Sequence, residues 1–202
     1  VYKFSKSRNI VGKVKTVTVK RDSLGALWLD FVAGNEIQIP NRTGNSAVGF
    51  DFGLKTFLTA SDGTPPIEAP EFLKQSLDAL RKAQRDLSRK TKYSKNWYKA
   101  KKNVARIHRR VVNQRRDWFF KLAHESTDGY DLLFFEDLSM KSMQVLWGRK
   151  IGDLARSEFM GILEWVAKQK GNVVGYIDRF FPSSKTCHCC GHINSELTLS
   201  DR

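Results

Sequence analysis

Two acidic side chains stand in apolar runs of this sequence, where an unpaired carboxylate is energetically costly. Asp51 interrupts the run "AVGFDFGLKTF", and Glu136 ends the run "DLLFFE". If the two predicted strands are neighbours in one sheet, both carboxylates face a single cleft. Paired carboxylates supply the hard oxygen ligands with which two Mg²⁺ ions hydrolyse a phosphodiester. The alternative for Asp51 is an acid that only terminates a strand or caps a turn.

All three cysteines of the chain fall within four residues, at Cys187, Cys189 and Cys190. Disulfides between such near neighbours are strained, so a metal site in a reducing compartment is more natural. The spacing of Cys187 and Cys190, followed by Gly191, is typical of half of a zinc ribbon. His192 or Cys189 could add a ligand, and three reduced thiols in a partly disordered tail are the alternative.

Positive charge is concentrated in one segment. Residues 81–121 hold 16 Lys and Arg against two acids, while the other 161 residues hold 19 of each sign, so the net charge of +14 comes from this segment. Such a stripe favours nucleic acid as a polyanionic partner, with a solvated helix face as the alternative. The side chains expected to contact phosphates are Arg81, Lys82, Arg85, Arg106, Arg109, Arg110, Arg115 and Arg116.

The elements that position these groups follow from the periodicity of the apolar residues. Alternation of polar and apolar residues predicts a β-hairpin over 11–34, and a second hairpin over 47–63 that closes at the turn 61–63. Further strands are predicted near 129–137 and 173–181, on either side of a helix over 150–172. The result is a mixed α/β arrangement.

Apolar residues at spacings of three and four predict two amphipathic helices that pack as a hairpin over about 70–127. Trp97, Tyr98 and Trp118 lie on these helices. We expect them in the apolar core, with stacking on nucleic-acid bases as the alternative.

The composition, with 41% hydrophobic residues, is that of a folded protein with one core or two small domains. The sequence contains no run of 18 apolar residues, and its first residues lack the apolar centre of a signal peptide. We therefore expect no membrane span and a cytoplasmic, nucleoid-associated location.

Five motifs in a fixed order resemble the TnpB family of transposon-encoded RNA-guided nucleases, which is related to the type V CRISPR effector nucleases. They are "VGFDFGLKTFLTASDG", "FFEDLSM", "LWGRKIGDL", "FPSSKTCHCCGH" and "LTLSDR". The basic helices are similar to the same family, so the resemblance covers the chain from about Val11 to Arg202.

The resemblance implies an α/β fold with an RNase H-like, RuvC-type nuclease domain at 46–182, which includes the long basic helical hairpin. It also implies that residues 1–45, with their β-hairpin, are the C-terminal part of a wedge-type β domain, the domain that grips the guide RNA scaffold. Residues 183–202 would form the first half of a zinc ribbon.

The family's residue roles are carried over by motif match. Asp51 and Glu136 become the first and second catalytic carboxylates of a Mg²⁺ site, and Asp137 becomes a bystander. Cys187 and Cys190 become two ligands of a structural Zn²⁺. The implied partners are a guide RNA and a target DNA, with base pairing reading the target sequence.

Two features of the family are missing from these 202 residues: a second Cys-x-x-Cys, and the third catalytic Asp in an Asp-Arg-Asp context. Asp201 precedes the expected second cysteine pair, so we do not expect it to be that third carboxylate. The chain accordingly resembles an internal fragment of a longer protein. We expect it not to cleave DNA by itself, and Mg²⁺-dependent cutting of a guided target by the 202-residue chain would overturn this expectation.

Two other functions fit parts of the pattern. A nuclease-inactive RNA-guided protein would act by occupying DNA, although Asp51 and Glu136 both argue for an active parent. A zinc-dependent transcription factor fits the basic stripe and the cysteines, but it leaves both carboxylates unexplained.

Overall fold

A computed structural model describes residues 3–7, 9–34, 39–40, 42, 44–53, 56–137, 155–178, 180–182, 185–187, 189–194 and 196. The motifs "LWGRKIGDL" and "LTLSDR", Asp201 and the predicted helix start at 150–154 lie outside the described residues. The described chain forms two β-sheets and three long helices.

The first sheet is the predicted N-terminal β-hairpin. Strands β1 (Lys13–Arg21) and β2 (Leu27–Gly34) pair antiparallel, and the last pair is Arg21 with Leu27. Asp22 organises the turn, because its Oδ1 accepts hydrogen bonds from the amides of Leu24 at 2.9 Å and Ala26 at 2.8 Å. The sequence therefore predicts this hairpin correctly.

The second sheet has five strands in the order β5-β4-β3-β6-β7. The strands are β3 (Ala47–Asp51), β4 (Thr56–Ala60), β5 (Ile67–Glu68), β6 (Leu132–Glu136) and β7 (Val173–Ile177). Strands β3, β6 and β7 are parallel, whereas β3, β4 and β5 are joined antiparallel. The mixed α/β arrangement that the sequence predicts is confirmed.

One predicted turn is wrong. The hairpin of β3 and β4 does not close at 61–63, because β3 already ends at Asp51 and β4 begins at Thr56. Gly53 lies in this reversal, where a Cβ would stand 2.7 Å from Thr56 Oγ1. Ser61 still bonds to β3, since its amide donates to the Gly49 carbonyl at 2.9 Å. The residues 61–63 instead turn the chain from β4 towards β5.

Three long helices are described. Helices α1 (Phe72–Ser88) and α2 (Lys95–Gly129) contact each other as the predicted hairpin, and α3 (Arg156–Lys170) precedes β7. Ser94 caps α2, because its side chain accepts a hydrogen bond from the Trp97 amide at 3.1 Å. Within the described ranges, no helix combines the length and the apolar character needed to cross a membrane.

The core lies between one face of the five-stranded sheet and the helices α2 and α3. Phe50 and Phe135 project from the neighbouring strands β3 and β6, with ring centroids 5.3 Å apart, and both are buried. Phe119 of α2 and Phe159 of α3 cover them from the helix side. Since side chains alternate along a strand, the residues next to Phe50 and Phe135 point to the opposite face.

A polar cluster joins the amino ends of β3 and β6. The carboxylate of Asp131 accepts hydrogen bonds from the Ser46 hydroxyl at 2.6 Å and the Ser46 amide at 3.1 Å. Arg42 donates to the same carboxylate at 3.0 Å and to the Thr127 carbonyl at 3.2 Å. These bonds hold the pKa of Asp131 below its ordinary value, chiefly through the Ser46 hydroxyl. The ionised form of Asp131 therefore helps to set the register of the two strands.

The lowered pKa of Asp131 makes stability depend on pH. A carboxyl whose pKa falls on folding stabilises the fold above its unfolded value, about 3.9, and loses this effect as the pH drops through the folded value. We expect acidification from about pH 5 to about pH 2 to lower the melting temperature of the parent more than that of Asp131→Asn. Circular dichroism melts measure this, with the exposed Asp78→Asn as the matched control. Equal losses in the parent and in Asp131→Asn would contradict the assignment.

Candidate active site at the carboxyl ends of β3 and β6

Asp51 and Glu136 occupy equivalent places on neighbouring parallel strands. Phe50 pairs with Phe135, and each acid is the next residue and the last of its strand. Parallel strands end at the same edge of a sheet, and residues at the same register point to the same face. The structure thus brings the two carboxylates together on the face opposite the core.

The environment of Asp51 differs from the one that the sequence suggests. The apolar run suggests a carboxylate inside a buried strand, but Asp51 is exposed and is the last residue of β3, which agrees with the alternative of a strand-terminating acid. Glu136 is half-buried. Because Asp51 reaches solvent, its carboxylate needs no buried partner. The apolar residues before it in β3 alternate in direction, and those that are buried point to the core.

Asp137 follows Glu136 directly, one residue past the end of β6. Its amide donates to the Ile177 carbonyl at 3.0 Å, which continues the pairing of β6 with β7. Successive side chains of an extended chain point to opposite faces, so Asp137 and Glu136 cannot both face Asp51. Geometry therefore favours Glu136 over Asp137 as the partner of Asp51.

Arg156 is the residue of this site that the sequence reasoning missed. It is 7% exposed and is the only buried charged side chain among the residues that the structure describes. Its guanidinium donates a hydrogen bond to the Glu136 carbonyl oxygen and lies 4.3 Å from the centroid of the Phe52 ring. The buried cation is thus in direct contact with both strand ends.

The electrostatics of Arg156 reflect this position. Burial lowers the pKa of its guanidinium, and electrostatic interaction with Tyr176, Asp137, Glu136 and Asp51 opposes that effect. A signal for Arg156 existed in the sequence: it is a cation at the first position of a helix, where the helix dipole favours an acid. Such a cation is better explained by a nearby cluster of carboxylates than by the helix itself.

Ion pairs connect the basic hairpin to this region. Glu158, two residues after Arg156, accepts from Arg115 at 2.9 Å and lies 3.6 Å from Arg116. Arg109 pairs with Asp22 of the β-hairpin turn at 3.0 Å. Three of the eight predicted phosphate contacts are therefore engaged with acids of neighbouring elements.

The other predicted phosphate contacts are more open. Arg81, Lys82, Arg85, Arg106 and Arg110 are all exposed. An open depression of 420 Å³ on α1 is lined by Arg81, Gln84, Arg85 and Ser88. Arg81 shares its charge with Asp78 at 3.2 Å, but Asp78 is itself almost fully exposed. Solvent-facing pairs of this kind are weak and leave a cation available to phosphate.

The cysteine segment forms a tight backbone loop. The Cys187 amide donates to the His192 carbonyl at 2.8 Å, and the Gly191 amide donates to the Cys187 carbonyl at 2.9 Å. The backbone amides of Cys190 and Cys189 lower the pKa of the Cys187 thiol. This loop favours a thiolate, the form in which cysteine binds metals.

The described side chains supply some, but not all, of the ligands that each expected metal site needs. Within the described ranges, no group of three or more His, Cys, Asp or Glu side chains is placed to hold a metal ion. Asp51 and Glu136 have the oxygen chemistry that Mg²⁺ requires, and Cys187 and Cys190 have the sulfur chemistry that Zn²⁺ prefers.

Comparisons with known families give two consecutive matches. The OrfB_IS605 family, described as a probable transposase, matches residues 17–146. A Cas12f1-like TNB domain matches residues 157–202. The first match alone covers more than half of the chain.

Curated relatives extend beyond this chain. A Streptomyces pristinaespiralis protein described as a candidate RNA-guided DNA endonuclease is 35% identical over 93% of this chain and 46% of its own length. The Escherichia coli K12 protein InsQ, described in the same terms, is 33% identical over 98% of this chain and 53% of its own length. The chain thus spans about half the length of these relatives.

Among solved structures, a Cas12f1-sgRNA-target DNA complex matches with a TM-score of 0.57 and 19% identity, over 91% of this chain and 39% of that chain. A CRISPR-Cas12f ternary complex matches with a TM-score of 0.52 and 20% identity, over 92% of this chain and 39% of that chain. At these identities the likeness shows a shared fold.

The contacts of Arg156 predict a measurable loss of stability. Arg156→Met keeps the length of the side chain but removes the donor to the Glu136 carbonyl, so we expect the free energy of unfolding to fall by about 1–3 kcal/mol. Arg156→Lys should lose less, because it keeps the charge. Urea denaturation measures both, with the exposed Lys168→Met as the control. If Arg156→Met unfolds at the same urea concentration as the parent, the contact does not stabilise the strand ends.

Proposed function

The chain belongs to the OrfB_IS605 family of probable transposases, as its TnpB-like motifs predict, and from this premise we propose that it is the nuclease part of an RNA-guided DNA endonuclease. One observation carries the proposal: Asp51 and Glu136 end neighbouring parallel strands and point to the same face. Two carboxylates in this arrangement are suited to metal-assisted hydrolysis of a phosphodiester.

The strand order supports an RNase H-like, RuvC-type domain. Strands β5, β4 and β3 pair antiparallel in sequence-adjacent hairpins, and β6 and β7 extend the sheet beyond β3 with parallel pairing. Helices α2 and α3 pack on one face of this sheet. The two carboxylates stand on the central strand and its parallel neighbour. The boundaries at 45/46 and 182/183, and the assignment of the β1–β2 hairpin to a wedge-type domain, stay predictions.

Asp51 and Glu136 would hold the Mg²⁺ ions of this site. When bound, Mg²⁺ supplies an activated water and stabilises the leaving oxygen of the phosphodiester. Arg156 supports the site from beneath, because its bond to the Glu136 carbonyl fixes the end of β6. Asp137, whose side chain is expected to alternate to the other face, is not proposed as a ligand.

The basic hairpin would hold the nucleic acids, a guide RNA and its target DNA. Exposed side chains that line one helix are suited to phosphates, and Arg81, Lys82 and Arg85 on α1 meet this description. Arg106 and Arg110 extend the surface along α2. Arg109, Arg115 and Arg116 are proposed to combine phosphate contact with their ion pairs to Asp22 and Glu158.

The cysteine loop would hold Zn²⁺ in a structural role. Cys187 and Cys190 are the proposed ligands, and the backbone bonds within the loop support a thiolate at Cys187. Two thiolates are half of a four-coordinate structural site.

Cleavage by a full-length chain that carries these 202 residues tests the nuclease proposal. With a guide RNA, its target DNA and Mg²⁺, we expect Asp51→Ala and Glu136→Ala to cut slower by on the order of a hundredfold or more. Binding of Mn²⁺, followed by electron paramagnetic resonance, should weaken in the same two variants.

Asp137→Ala is the matched control for this cleavage test, because it removes the neighbouring carboxylate and should cut close to the parent rate. Slow cutting by Asp137→Ala together with normal cutting by Glu136→Ala would show that the wrong acid has been assigned. A parent that binds guided target DNA without cutting it would favour a protein that acts by occupancy.

The zinc proposal predicts a cysteine-specific spectrum. Co²⁺ bound by thiolates absorbs in the near ultraviolet, and we expect this absorption to weaken in Cys187→Ser and in Cys190→Ser. Cys189→Ser is the control and should retain it. An equal loss in all three variants would mean that the thiols bind metal without the proposed selectivity.

A further inference from the structure

Three aromatic rings cluster at the turn between α1 and α2. Trp97, in the first turn of α2, lies with its ring centroid 5.6 Å from Tyr93 and 5.1 Å from Tyr98. Tyr93 is 66% exposed and Tyr98 is 49% exposed, while Trp97 is half-buried between them. The half-buried indole thus supports two phenol rings that face solvent.

This cluster is separate from the core. Trp118, which we also expect in the apolar core, has its ring centroid 4.8 Å from that of Phe57 and packs against the core. In the described residues, α2 contributes to that core from Trp118 onward. Tyr93 and Tyr98 therefore make no contribution to the core, and their exposed faces are free of a packing role that would explain them.

Lysines surround the rings. Lys101 Nζ lies 5.1 Å from the centroid of Trp97, and Lys92 Nζ lies 5.2 Å from the centroid of Tyr93. The sequence from 87 to 116 holds 12 Lys and Arg and no acid. The local field therefore attracts anions, and the rings offer apolar faces within it.

The backbone holds the rings in place. Tyr93 adopts a φ of 66°, a left-handed conformation that is unusual for an aromatic residue. The turn around it is closed by the Ser94 amide, which donates to the Thr91 carbonyl at 3.1 Å, and by the Ser94 side chain, which caps α2. The backbone that carries Tyr93 and Trp97 is therefore closed by hydrogen bonds within the turn.

From this arrangement we propose that Tyr93, Trp97 and Tyr98 form a stacking site for an unpaired nucleotide of a single strand, whose phosphates contact the surrounding lysines. Aromatic rings beside cations bind single-stranded nucleic acid in this way, because every base has a face that can stack. A base inside a duplex has no free face, so the site should discriminate against duplexes. The inference rests on the proposed nucleic-acid binding and adds a defined site for unpaired bases.

Binding of short single strands by the 202-residue chain tests the site. The probes are an oligouridine RNA and an oligothymidine DNA, each with one 2-aminopurine, and a duplex of the same length. We expect the double variant Tyr93→Ser and Tyr98→Ser to bind the single strands about fivefold to a hundredfold more weakly, and to lose the quenching of 2-aminopurine. Duplex binding should stay at the parent level.

Two control variants separate stacking from other effects. Tyr93→Phe with Tyr98→Phe keeps both rings and should bind like the parent. Trp165→Ser removes a ring of α3 that is 56% exposed, and it should also bind like the parent. Thermal melts show whether each variant folds, and Trp97 stays unchanged because it supports the turn.

The outcomes distinguish the two proposals. Selective weakening with RNA, with DNA or with both supports the stacking site and identifies the strand that uses it. If the serine variant binds single strands like the parent, or loses single strands and duplex equally, the stacking site is refuted while nucleic-acid binding stands. If the parent binds none of the probes, the proposed function and the stacking site both fail.

Discussion

The parallel pairing of β3 with β6 is the constraint on which the rest of the structure depends. It sets Phe50 beside Phe135 in the core and, one residue later, Asp51 beside Glu136 on the other face. A slip of one residue in either strand would turn an acid into the core and a phenylalanine into the solvent, so the hydrophobic effect enforces the register. The Asp131 cluster fixes the same register at the opposite end of the strands.

Arg156 shows how the fold manages charge at the strand ends. Gathering Asp51, Glu136 and Asp137 at one edge concentrates negative charge, and a buried guanidinium beneath them offsets part of it. Its contact with Phe52 places this cation against the same aromatic core that holds the strands. The Arg156 side chain therefore contacts both the aromatic core and the end of the strand that carries Glu136.

The basic hairpin is tied to the site by helix α3. Glu158, in the first turn of that helix, pairs with Arg115 and Arg116 of α2, while Arg156 of the same turn contacts the strand ends. One short stretch of α3 thus contacts both the surface proposed to hold nucleic acid and the strand end that carries Glu136. At the far end of the hairpin, the aromatic cluster lies outside the core.

The sequence by itself determined the features that depend on neighbours along the chain: the β1–β2 hairpin, the helical hairpin, the alternation that turns Phe135 and Glu136 to opposite faces, and the family to which the motifs belong. It misplaced the turn at 61–63 and left open whether Asp51 lies inside a strand or ends it, because a strand end depends on where its partner strand stops. Only the tertiary structure decided that Arg156 contacts the ends of β3 and β6, and that Trp118 packs partly buried against the core while Tyr93 and Tyr98 are exposed. These outcomes depend on contacts between distant segments, and local periodicity cannot encode them because the same pattern is compatible with several partners.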